Sequence, residues 1–84
     1  MERCASFLET DHIDHVTIHY RRGEGLDRGA AVRLLMRAMG CFPTVAEAME
    51  DVPLNKSYLD SLPDDGLVSL LVRARTALLA EAWK

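Results

Sequence analysis

Five residues within nine positions have the chemistry of metal ligands: Asp11, His12, Asp14, His15 and His19. Imidazole and carboxylate suit zinc and related divalent ions. Wound as a helix, His12, His15 and His19 share a face; drawn out as a strand, His15 and His19 do. A metal centre needs three or four converging ligands, and the strand signal that follows opposes the helical arrangement. The run therefore reads as a polar turn leading into a strand. No metal or other cofactor is expected.

Nucleophilic chemistry has less support. Cys41 precedes a helix start at Thr44, where a helix dipole lowers a thiol pKa, but no CxxC motif exists and Cys4 has no base nearby in sequence. A glycine-rich phosphate loop, a GxSxG elbow and a convincing pair of carboxylates are all missing. The chain reads as non-enzymatic, with no catalytic residue and no small-molecule substrate evident.

The elements that would position these side chains begin with 16–21. Val16, Ile18 and Tyr20 alternate with Thr17, His19 and Arg21, which predicts a strand ended by Gly23-Glu24-Gly25. Its partner would be residues 3–9 in a hairpin, or the same strand of a second chain. A helix over 27–39 follows, with Asp27 as N-cap and Gly40 as the C′ residue. Ala31, Val32, Leu34, Leu35, Met36, Ala38 and Met39 form its apolar face, and Arg33 and Arg37 stand opposite. Thr44 and Glu47 have capping-box spacing at the start of a helix over 44–51, which Pro53 terminates. A short helix over 55–62 and a long one over 64–83 complete the chain, the last opened by Pro63, Asp64 and Asp65. The expected fold is a mainly α single domain, 1–84, of about four helices with one short N-terminal strand.

An 84-residue chain buries only about 60% of its unfolded surface, so its own core leaves it marginal. The balance of 49% hydrophobic and 27% charged residues is that of a globular protein. The net charge of −3 argues against nonspecific binding to nucleic acid or membrane, although its distribution is uneven. Residues 15–40 carry five arginines against Glu24 and Asp27, a local sum of +3 between two segments of −3 each. Two cysteines are too few for a secreted disulfide scaffold, no signal-peptide run opens the chain, and no stretch nears the ~20 apolar residues that span a bilayer. The expectation is a soluble cytoplasmic protein with both thiols free and no membrane association.

The last helix gives the strongest hint of function. Leu67, Leu70, Leu71, Ala74 and Leu78 form one stripe, with Val68, Val72, Leu79 and Trp83 beside it. Together they cover roughly 240° of the circumference, where a surface helix needs a little over about 100°. The excess predicts contact with another chain. Expected partner-binding residues are Tyr58, Leu59, Leu71, Arg75, Leu78, Leu79 and Trp83, since arginine and aromatics dominate interface energetics. The function expected is that of a small regulator acting by protein–protein binding, an adaptor, antagonist or anti-activator, possible targets including a transcription factor, and homodimeric.

The alternative is a DNA-binding repressor. A strand at 16–21 followed by helices over 27–39 and 44–51 has the element order of ribbon-helix-helix proteins, with Thr17, His19, Arg21 and Arg22 toward the bases. Helices 44–51 and 55–62 also allow a helix-turn-helix with Lys56, Ser57 and Asp60 outward. Glu47, Glu50 and Asp51 oppose both readings, since binding DNA requires cations at the phosphates.

Overall fold

The computed structural model describes residues 6–53 and 55–82, with side chains over 8–53 and 55–81. These residues form five helices and no strand: α1 (Ser6–Arg21), α2 (Arg28–Cys41), α3 (Pro43–Ala48), α4 (Lys56–Ser61) and α5 (Asp64–Ala82). The mainly helical expectation holds. The strand at 16–21 does not, because that segment is the end of α1.

Burial along α1 explains the difference. Glu9, Thr10, Ile13, Val16 and Thr17 are buried and Tyr20 half-buried, a spacing of three and four residues that only a helix aligns. Three of those five buried positions are polar, so hydrophobicity alone hides the stripe. Ile18, inward in the strand reading, is 44% exposed. The glycine stop was real but belongs to a helix. Gly23 lies at φ +80°, its N–H bonds Tyr20 O at 3.0 Å, and the Glu24 N–H bonds His19 O at 3.1 Å. That pair of bonds is a Schellman C-cap, which satisfies the last carbonyls of α1.

Local capping sets the other boundaries. The Asp27 carboxylate accepts from the Ala30 N–H at 3.0 Å as the N-cap of α2. Gly40 is not a C′ residue, because α2 runs on to Cys41 and Phe42 ends it. Proline at the first position starts α3 at Pro43, and Phe42 makes no side-chain cap bond there. Thr44 is not the N-cap that the expected capping box needs, since α3 starts at Pro43 with Phe42 as its cap; the Thr44 hydroxyl donates to the Glu81 carboxylate of α5. A helix reaching residue 51 is replaced by one ending at Ala48 and a turn through Met49. Asn55 caps α4 by accepting from the Tyr58 N–H at 2.8 Å.

The core lies around α5, on which α1, α2 and α3 all pack, while α4 packs on α2. Leu67, Leu71, Ala74 and Leu78 of α5 are fully buried against Ile13, Leu35, Val45, Met49 and Leu59. Arg28 at the start of α2 fastens the far end of the chain. Its guanidinium lies 2.6 Å from Asp64 Oδ1 and donates to the carbonyls of Leu59, Asp60 and Leu62. Arg73 closes α3 by donating to Ala48 O at 2.6 Å and to Asp51 Oδ1 at 2.9 Å, which holds the Asp51 carboxyl below its usual range.

Cys41 is disulfide-bonded, which corrects the expectation of free thiols. The sequence has one other cysteine, Cys4, which lies outside the described residues. A count of two says nothing about whether the fold brings thiols together.

Two measurements check this fold. Gly23→Ala meets no atom within 4 Å, so its cost is the positive φ alone. Urea unfolding should show a loss of about 1 kcal/mol, and no loss would remove the α1 cap. The Tyr20 hydroxyl donates to Asp65 on α5. That bond, then desolvation, then the Asp65 and Asp64 charges, raises the phenol above its ordinary pKa. A folded value above the unfolded value of about 10 stabilises below that pH and fades as pH climbs through the folded value. The melting-temperature advantage of wild type over Tyr20→Phe should therefore shrink above about pH 10.

Candidate functional site

The described residues hold no group of three or more His, Cys, Asp or Glu placed to bind a metal. Along α1 the sequence cluster is parcelled out among other tasks. Asp14 Oδ1 takes Arg75 Nε at 2.6 Å and so ties α1 to α5. The His15 and His19 rings lie 4.6 Å apart, and His19 Nδ1 is 3.5 Å from Glu24 Oε1. Asp11 and His12 are exposed.

The residues expected to bind a partner divide in the same way. Leu59, Leu71 and Leu78 have no exposed surface and belong to the chain's own core, which Tyr58 borders. Arg75 serves Asp14 of its own chain rather than an incoming carboxylate. Leu79 is 37% exposed, and Trp83 lies outside the described residues. The inward arc of α5 from Ala77 round to Leu71 spans about 120°, which leaves Val72 and Leu79 of the second apolar stripe outside it and Val68 half-buried. Val72 stands 39% exposed beside Leu79 on that outer side. Next to them Thr44, Ala48, Thr76 and Ala80 border a shallow hollow of about 400 Å³ between α3 and α5.

The DNA-facing set fares worse. Thr17 is buried, with its hydroxyl donating to Asp14 O at 3.2 Å, and only Arg21 and Arg22 point fully outward. A ribbon has no strand to build it among the described residues. The helix-turn-helix reading also lacks its packing, because α4 rests on α2.

A second surface was not singled out from sequence. An open hollow of about 690 Å³ runs along the outward side of α2, from His12 and His15 of α1 across to Lys56. Its apolar members include Leu34, Val32 and Met36, and Met36 is 46% exposed. Arg33, Arg37 and Lys56 stand in its wall, and among the described residues no carboxylate does. A signal for it was present. The seven apolar residues of α2 span roughly 200° of the helix, more than one core contact covers.

Behind that wall Glu9 is only 1% exposed. Its Oε1 lies 3.0 Å from Arg37 Nε, while Oε2 has no hydrogen-bond partner. No helix of the described residues is long and apolar enough to cross a membrane. Comparison of the chain with protein-family models, curated proteins and solved structures finds no match in any of the three.

The Glu9–Arg37 pair yields a stability prediction. Arg37→Ala strands a buried carboxylate and should cost toward the lower end of about 3–5 kcal/mol, since Arg37 itself is partly solvated. Replacing both partners by methionine should recover most of that loss in urea unfolding. A double variant as unstable as Arg37→Ala alone would show that the pair's own attraction, not the stranded charge, sets the cost.

Proposed function

We propose that this chain is a small non-enzymatic regulator that works by protein–protein binding and pairs with a second copy through the outer side of α5. The observation that carries this reading is the exposure of Val72 and Leu79, 39% and 37%, on the one helix that already supplies much of the core. Water is a poor neighbour for two large aliphatic side chains on one helix face, and a chain this short gains from covering them. Thr76 and Ala80 on the same side are small enough to let a second helix approach to about 8–10 Å. Α5 runs for 19 residues, about 28 Å, so two such helices laid side by side provide a seam of useful length. A binding protein of this size would act by occupying a partner's surface, in the manner of an adaptor or antagonist. DNA binding is not carried forward, since the residues it needs at 16–21 are divided between core and solvent.

Sedimentation velocity at tens of micromolar separates the possibilities. Wild type should sediment as a dimer, and Val72→Asp and Leu79→Asp as folded monomers with stability changed by about 0.5 kcal/mol or less. Leu71→Asp, by contrast, should unfold the chain, because Leu71 is fully buried. A monomeric wild type at those concentrations overturns the self-association.

A further inference from the structure

We propose that the hollow along α2 is a second docking site, and that its occupant is an acidic amphipathic helix from another protein. The argument is charge complementarity over an apolar floor. The chain as a whole carries −3, yet this surface gathers Arg33, Arg37 and Lys56, with His12 and His15 at its edge, and no carboxylate of the described residues lines it. Arg37 is committed to Glu9. Arg33 is exposed, and neither it nor Lys56 forms an ion pair among the described residues. Two cations therefore flank the floor without a carboxylate of their own.

The floor decides the class of occupant. Met36 is 46% exposed, and Val32, Leu34 and Ala30 are half-buried beside it. Phosphate backbones want cations and hydrogen-bond donors, and they gain nothing from methionine and leucine. A helix with apolar residues at i, i+3, i+4 and i+7 fills such a floor, and acidic residues on its margins meet Arg33 and Lys56. Methionine suits this role because its unbranched, polarisable side chain repacks against differing shapes. The outer side of α5 of a second copy is disfavoured here, because Val72 and Leu79 are bordered by Arg73 and Arg75 rather than by carboxylates.

Fluorescence anisotropy with a labelled synthetic 18-residue helix tests the proposal. The probe carries leucines at i, i+3, i+4 and i+7 with glutamates on both margins. Controls are a scramble of the same composition, a version with lysine for glutamate, a random DNA duplex and vesicles of anionic lipid. The acidic amphipathic peptide should bind, and binding should weaken as salt rises. Arg33→Glu/Lys56→Glu and, separately, Met36→Asp should each weaken it at least tenfold, with helical circular dichroism unchanged. Val72→Asp should leave it unaltered, so failure here and failure of the α5 pairing are read apart. The proposal falls if the acidic peptide does not bind at millimolar concentration. It falls equally if scramble or lysine peptide binds as well, or if duplex or vesicle binds in preference. Dissociation of a wild-type dimer by Arg33→Glu/Lys56→Glu would assign the hollow to a second copy and overturn it too.

Discussion

Burial of the inward stripe of α5 fixes the positions of three other helices. Leu67, Leu71, Ala74 and Leu78 expose nothing, and α1, α2 and α3 each rest on them. A fully buried leucine contributes about 1.5–3 kcal/mol by its removal from water, so this stripe is worth more than any polar contact present. The short helices depend on it most. Six-residue segments such as α3 and α4 do not stand alone in water, because helix nucleation is unfavourable and so few bonds follow. They persist because Val45, Met49 and Leu59 reach the same core.

Polar contacts then select one arrangement among the packings this apolar surface allows. Most are partly solvated, and exposed pairs contribute about 0–1 kcal/mol. Their placement matters more than their strength. Thr44 with Glu81 holds the start of α3, and Arg73 with Ala48 O and Asp51 holds its end, so α5 fixes α3 at two points. Arg28 gathers three carbonyls at the end of α4 together with Asp64 at the start of α5. Asp14 with Arg75 and Tyr20 with Asp65 set the register of α1 along α5. Each of these joins residues far apart in sequence, which is why none can be read from spacing.

What could be read were the devices that act over three or four residues. Asp27 and Asn55 satisfy orphan N–H groups at helix starts, and the acids after Pro63 fall in the first turn of α5, at its positive dipole end. The two-stripe pattern of the last helix also holds, one stripe inward and the other exposed at Val72 and Leu79. Residues 16–21 failed for a definite reason. Alternation of β-branched and polar types is a local preference, whereas Thr10, Thr17 and Glu9 are buried by contacts that only the folded chain supplies. The partner that Arg75 finds within its own chain, Asp14, was equally out of reach, since an arginine in an apolar sector does not say which carboxylate it meets. The α2 hollow needed both the excess apolar width of that helix and the location of Lys56, which only the fold gives.

The stacking of α2 on α5 has a geometric consequence for any partner. Α2 lies over the inward stripe of α5, with Ala31, Leu35 and Ala38 buried between them. Its solvent-facing back, with Met36 and Arg33, therefore looks away from α5. Val72 and Leu79 sit on the side of α5 turned from that stripe, so they look the other way. The two apolar surfaces share no residue and lie on different helices of a globule with principal extents of 34 × 26 × 24 Å. They also differ in charge: the arginines beside the α5 strip, Arg73 and Arg75, are paired with Asp51 and Asp14, whereas Arg33 and Lys56 beside the α2 surface form no ion pair among the described residues. Covering the α5 strip with a like chain would leave both copies presenting the α2 hollow outward, and a dimer so built offers two equivalent basic, apolar grooves to a bivalent acidic partner. Binding through both at once would gain from effective concentration, without any added contact, when the partner's segments span the gap.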